Sequence, residues 1–150
     1  MSSYTSEDLK RRAFERAAWV LKHYWEEQKD LLPRAARVHS RIFDTLIHPS
    51  HILYGVSVKG TGHTEHLVPC SLIRDQAFKM LWANEDVDAV ALMLQRTLKI
   101  ALITKEEARL LDVDLGFKTT MPGDWCFETG AVTERLDRAE IKLTLVNSSQ

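Results

Sequence analysis

The sequence has no large excess of charge of either sign and no long apolar run. Its 150 residues include 20 basic and 21 acidic side chains, which gives a formal net charge of -1. This balance excludes a strongly basic coat protein for nucleic acid, because such binding depends on neutralising many phosphates. No stretch approaches the roughly 20 consecutive apolar residues that a membrane span needs, so we expect no membrane partner.

Cysteine is scarce in this sequence. The two cysteines, Cys70 and Cys126, lie far apart along the chain. The first residues are polar and acidic, without the basic and apolar regions of a secretory signal. Free thiols in a reducing compartment are therefore a better interpretation than a disulfide, and we expect a cytoplasmic protein.

Several well-known catalytic signatures are missing as well. The sequence contains no Gly-x-Ser-x-Gly elbow, no phosphate-binding loop and no dinucleotide-binding fingerprint. The turn Gly60-Thr61-Gly62 is too short to cradle a phosphate. The sequence therefore gives no support to the enzyme classes that these motifs mark.

What is present is the composition of one globular domain, with 45% hydrophobic and 27% charged residues. We predict a single domain over 1–150, with a helical part over 1–48 and an α+β part over 50–146 that carries the candidate site. Residues 1–82 have a net charge of +3 and the rest a net charge of -4. This asymmetry permits a positive side that meets a polyanion.

Helical periodicity dominates the first part of the chain. Thr5 and Ser6 are good cap residues, and apolar residues recur at helical spacing from there to about residue 30. A second helix is predicted between Pro33 and Pro49, ending near residue 47. Its arginines, together with those of the first helix, form either a phosphate-binding patch or a solvated face.

The period then changes to that of strands and shorter helices. Strands are predicted near 52–58, 99–103 and 141–146, with a short strand at 67–68. Helices are predicted at about 71–82, after Asn84 as a cap, and after Thr104, where Thr104 and Glu107 form a capping box. The predicted fold class is α+β: two N-terminal helices followed by a small sheet packed with several helices.

Residues 63–70 carry the densest chemical signal in the sequence. His63, Glu65, His66 and Cys70 place two imidazoles, a carboxylate and a thiol within this segment, between a glycine turn and a predicted helix. Imidazole titrates near neutral pH, so it can accept or donate a proton there. The segment is therefore the candidate site.

Part of this segment, Glu65-His66-Leu67-Val68-Pro69, resembles the opening of the HNH (His-Me finger) endonuclease motif. The resemblance extends loosely to the predicted strand-turn-strand-helix context of roughly residues 52–82, and a longer pattern of the chain is similar to phage and bacterial proteins, some of them described as HNH-like. It implies a nuclease that hydrolyses phosphodiester bonds in DNA or RNA with a divalent cofactor, Mg²⁺, Mn²⁺ or Zn²⁺. His66 would be the general base, Glu65 a metal ligand, and His63 a second ligand or a phosphate contact.

The family normally supplies a further His or Asn on the following helix, and this sequence departs from that pattern. None of its six histidines follows His66. The candidates for the missing ligand are the carboxylates of Glu106, Glu107 and Asp112. We take Glu107 as the third metal ligand, although its place in the predicted capping box also accounts for a glutamate at this position.

Other interpretations of the same residues stay open. His63, His66 and Cys70 have the spacing of a structural zinc site, which His51 or Cys126 would complete. Alternatively, these side chains have structural roles only, with Cys70 as a small core residue.

A different class of function is a noncatalytic phage or bacterial regulatory or inhibitor protein. It would bind a macromolecular partner through its N-terminal helices, with a structural metal or no metal, or it would pair with a second copy of itself through the apolar face of the first helix.

Overall fold

The computed structural model describes residues 3–30 and 38–146. Within these residues the chain forms six α-helices and four strands. In order they are α1 (Ser6–Gln28), α2 (Ile42–Leu46), β1 (Leu53–Ser57), β2 (His63–His66), α3 (Cys70–Trp82), α4 (Val87–Thr97), β3 (Ile100–Ile103), α5 (Lys105–Arg109), α6 (Glu134–Arg138) and β4 (Leu143–Leu145). The predicted α+β class is confirmed.

The four strands form one mixed sheet in the order β2-β3-β1-β4, so that β2 lies at an edge. β1 runs parallel to β3, whereas β2 and β4 each pair antiparallel with their neighbours. The strands predicted near 52–58, 99–103 and 141–146 are confirmed. The strand predicted at 67–68 is wrong, because pairing with β3 occurs just before it, over 63–66.

The long helix α1 begins where its cap residues predict. Thr5 and Asp8 form a capping box, in which each side chain accepts a hydrogen bond from the other's backbone N–H. No helix in the described part of the chain combines the length and apolar character needed to cross a bilayer. The second predicted helix is much shorter than expected: residues 38–41 form a turn before α2, and 31–37 lie outside the described residues.

The junction between α3 and α4 corrects the role predicted for Asn84. Its backbone has a φ of 63°, the left-handed conformation that ends many helices. The N–H groups of Asn84 and Glu85 donate to the carbonyls of Leu81 and Met80, which closes the end of α3. Asp86 caps α4 instead, where its carboxylate accepts a hydrogen bond from the backbone N–H of Ala89.

Two layers of helix cover the sheet and bury its two faces separately. Helices α1, α3 and α4 form the larger core on one face, which includes Ile100. The other face carries a smaller core that contains Ala101, Ile103 and residues of α5 and α6. Side chains alternate between faces along a strand, so neighbouring residues of β2 point towards different cores. This alternation decides the geometry of the candidate site.

Candidate active site

A cavity of about 240 Å³ lies along β2, the edge strand that carries the candidate residues. Its walls come from β2, the start of α3 and the segment around 112–119. Six of the residues that line the cavity have ionisable side chains: His63, Glu65, His66, Cys70, Asp112 and Lys118. The structure therefore brings most of the predicted site residues to one cavity.

Within β2, Glu65 and His66 leave the strand on opposite faces. Glu65 pairs with Ala101 and His66 with Ile100 in the antiparallel register with β3. Ala101 and Ile100 belong to the two different cores. The two side chains that the HNH resemblance assigns to one metal-centred site thus have separate surroundings.

The carboxylate of Glu65 is nearly buried and is paired with Arg135, which is fully buried. The Nη2 of Arg135 lies 3.1 Å from Oε2 of Glu65 and also donates to the carbonyl of His66. Its Nε and Nη1 donate to the carbonyls of Leu67 and Phe117. Arg135 therefore links α6 and the segment near residue 117 to β2, and its guanidinium group forms a buried ion pair with Glu65.

The other oxygen of Glu65 holds His63. Oε1 lies 3.2 Å from Nε2 of His63, whose side chain is 40% exposed. A carboxylate that accepts a hydrogen bond from imidazole fixes the orientation of the ring. His63 is thus a positioned imidazole that remains open to the cavity, with Arg135 holding the carboxylate from behind.

His66 has a more enclosed environment than His63. Its Nε2 lies 3.8 Å from Oδ1 of Asp44 in α2, and its buried Nδ1 has no hydrogen-bond partner among the described residues. Burial lowers the pKa of His66, and the nearby charge of Asp44 opposes this effect only in part. His66 is therefore neutral at pH 7, the form in which an imidazole can accept a proton.

Cys70 lines the cavity at the start of α3, but it is not an activated nucleophile. Burial, together with the negative charge of Asp44, raises the pKa of its thiol to about 12. The reactive form of cysteine is the thiolate, which is almost absent at neutral pH when the pKa is this high. Thiol-based catalysis therefore has no support at this position.

The predicted metal ligand Glu107 has other partners. Its Oε2 accepts a hydrogen bond from the hydroxyl of Ser57 at 2.9 Å. Its Oε1 accepts one from the backbone N–H of Thr104, as the predicted capping box requires. Glu107 is not among the residues that line the cavity, whereas Asp112 is.

The donor set of the described residues does not fit a divalent metal. No three His, Cys, Asp or Glu side chains in the described ranges are grouped so as to hold an ion. Both oxygens of Glu65 are engaged by His63 and Arg135, and Glu107 is occupied elsewhere. The metal dependence that the HNH resemblance implies stays a prediction.

The alternative zinc set is not assembled either in the described part of the chain. His51 lines a different cavity. Cys126 is exposed, and its thiol lies 2.9 Å from the hydroxyl of Thr129. Neither residue joins His63 and His66 at the edge of the sheet.

Sequence reasoning missed three residues that shape the site: Arg135, Asp44 and Lys118. Arg135, in the short helix α6, is 70 positions from its partner Glu65. A charged residue in a short amphipathic helix is ordinarily solvated, so no local signal distinguishes Arg135 from Arg138.

Comparisons of the chain with protein-family models, curated proteins and solved structures found no match.

Proposed function

We propose that this protein is a nuclease, HNH-like or a degenerate relative, that hydrolyses phosphodiester bonds in nucleic acid. Its active site would be the cavity along β2. The observation that carries the proposal is that His63 and His66, each close to a carboxylate, line this one cavity. Phosphodiester hydrolysis needs a base to activate water and an acid to protonate the leaving oxygen, and imidazole performs both tasks near neutral pH.

The two histidines would have different roles because their environments differ. His66 is the proposed general base, since burial keeps its imidazole neutral at pH 7. His63 is the proposed contact to the phosphate or proton donor, because Glu65 orients its partly exposed ring. Lys118 is exposed at the rim of the same cavity and would stabilise negative charge on the phosphate.

Glu65 and Arg135 are positioning residues in this proposal. Arg135 is too deeply buried to reach a polymer directly. It holds Glu65, and Glu65 holds His63, so the pair fixes one imidazole at the cavity.

The proposal is tested by cleavage assays on plasmid, single-stranded DNA and RNA. Each substrate is incubated with Mg²⁺, Mn²⁺, Zn²⁺ or EDTA, which also tests the predicted metal dependence. The variants are His66→Ala and His63→Ala, with His23→Ala on the exposed face of α1 as the matched control. Removing a general base should lower the rate by about 10² to 10⁴, while the control should cleave like the wild type.

Two results would contradict the proposal. Equal cleavage by the wild type, His63→Ala and His66→Ala would identify a contaminating nuclease. Failure of the folded wild type to cleave any of these substrates under any of these conditions would exclude an active nuclease.

A second candidate function is that of a noncatalytic protein that binds a macromolecular partner. The observation that favours it is the full engagement of Glu65 by Arg135 and His63, an arrangement typical of a structural ion pair. In addition, α1 leaves Trp19 52% exposed to solvent. On this hypothesis, replacing His63 and His66 with alanine leaves binding of the partner intact, whereas Trp19→Ala abolishes this binding.

A further inference from the structure

A second cavity, also of about 240 Å³, lies where α1 meets the start of β1 and the end of β4. It shares no lining residue with the cavity along β2. Its walls include Lys10 from α1, Lys99 just before β3, His51 and the aromatic ring of Tyr54. This cavity has basic side chains and no role in the proposed chemistry.

Both lysines of this cavity are partly buried. Burial lowers the pKa of Lys99, and the charge of Lys10 lowers it further. Burial also lowers the pKa of His51, to which the charges of His48, Lys10 and Arg16 add. The positive charge of this cavity therefore comes from Lys10 of α1 and from Lys99, just before β3.

No negative side chain in the described part of the chain compensates this charge. None of the ion pairs formed between described residues includes Lys10 or Lys99. Asp8, the acidic residue nearest to Lys10 in sequence, is engaged by Thr5 and Arg11. Lys99 has an aromatic neighbour instead, with its Nζ 5.9 Å from the centre of the Tyr54 ring.

We propose that this cavity binds a phosphate group of a nucleic acid strand between Lys10 and Lys99. Partly buried ammonium groups without a counterion are unfavourable, and a compact anion relieves both desolvation and repulsion. Lysine is a common phosphate binder, acting as a point charge.

The position of Lys99 connects this site to the rest of the sheet. The carbonyl of Lys99 accepts a hydrogen bond of 2.9 Å from the N–H of Leu67, the residue after β2. Lys99 is therefore hydrogen-bonded through its backbone to the residue that follows the strand of the first cavity. The phosphate site concerns binding alone, and its assignment to a nucleic acid strand rests on the proposed function.

The test is the salt dependence of binding to a labelled single-stranded oligonucleotide. Fluorescence anisotropy is measured in EDTA, and a gel confirms that the oligonucleotide stays intact. The variant is Lys10→Ala/Lys99→Ala. The control is Lys59→Ala/Lys79→Ala, which removes the same charge from two exposed lysines that do not line the cavity. Circular dichroism verifies that both variants fold.

Loss of one phosphate contact should reduce the slope of log K against log salt concentration by about 0.7 for a single strand. We expect this reduction, with weaker binding, in Lys10→Ala/Lys99→Ala, and a wild-type slope in the control. Binding is measured in EDTA and cleavage in the separate assay, so that failure of the nuclease proposal and failure of this one are distinguishable.

Two outcomes would overturn the inference. The first is equal weakening in both double variants, which would mean that only overall charge matters. The second is an oligonucleotide affinity that Lys10→Ala/Lys99→Ala leaves unchanged. If inorganic phosphate still raises the Tm of the wild type but not of that variant, the cavity binds free phosphate and the nucleic acid source is wrong.

Discussion

The buried arginine provides the sharpest test of how this structure is held together. Arg135→Met keeps most of the side-chain volume, so the lost polar contacts dominate the effect. Four hydrogen bonds disappear, one to Glu65 and three to the carbonyls of His66, Leu67 and Phe117. Removing one partner of a buried ion pair typically costs about 3–5 kcal/mol.

The expected loss of unfolding free energy lies within that range. Each orphaned carbonyl costs about 1–3 kcal/mol when no solvent reaches it, which would raise the total. However, Glu65 lines the cavity along β2, from which water can enter and hydrate the freed groups. We therefore expect a loss of about 4 kcal/mol, a large fraction of the roughly 5–15 kcal/mol that stabilises an ordinary domain.

Urea denaturation followed by circular dichroism measures this loss. Arg138→Met is the matched control, because Arg138 lies on the same helix but is half exposed and pairs with Asp124 and Glu134 at the surface. Surface ion pairs of this kind contribute about 0–1 kcal/mol. Glu65→Gln in the Arg135→Met background should restore part of the stability, because it removes the unpaired buried charge. Equal, small effects of Arg135→Met and Arg138→Met would refute the reasoning.

Three further predictions concern other parts of the molecule. Asn84→Ala should lower the unfolding free energy by about 1 kcal/mol, because alanine is strained at the φ of 63°; a neutral effect in urea denaturation would contradict this. Iodoacetamide at pH 7.5 should modify Cys126 well before Cys70. The thiol of Cys126 is exposed and hydrogen bonding to Thr129 lowers its pKa, whereas the pKa of Cys70 is about 12. Mass spectrometry that shows the opposite order would disprove the burial argument. Because burial lowers the pKa of His66 in the folded protein, the unfolded chain takes up this proton at a higher pH than the folded chain does. The free energy of unfolding should therefore decrease as the pH drops below about 6.5, until His66 is protonated in the folded state as well. His66→Gln should flatten that part of the stability curve measured by urea denaturation, and an unchanged slope would count against a buried neutral imidazole.

The elements that sequence reasoning predicted correctly depend on short-range physics. The cap at Thr5 and the capping box of Thr104 with Glu107 involve residues three apart, which any helix start brings together. The strands near 52–58, 99–103 and 141–146 appear because their apolar patterns suit a sheet in almost any context. The α+β class follows from the order of these local elements.

The elements that were predicted wrongly depend on partners elsewhere in the chain. Residues 63–66 are polar, yet they form β2 because β3 offers them a hydrogen-bonding edge. The apolar residues Leu67 and Val68, predicted as a strand, are instead fully buried at the turn into α3. Asn84 is a helix end rather than a cap, since Asp86 is better placed to accept from the first turn of α4.

The candidate site shows the same division. The sequence by itself determined that His63, Glu65 and His66 are neighbours with the chemistry of acid–base groups. Only the tertiary structure decided that Glu65 and His66 point to opposite faces, that Arg135 neutralises Glu65, and that Lys10 and Lys99 meet at a separate cavity. The physical reason is that burial and charge pairing depend on distance in space, and residues 70 or 89 positions apart become neighbours only when the sheet has formed.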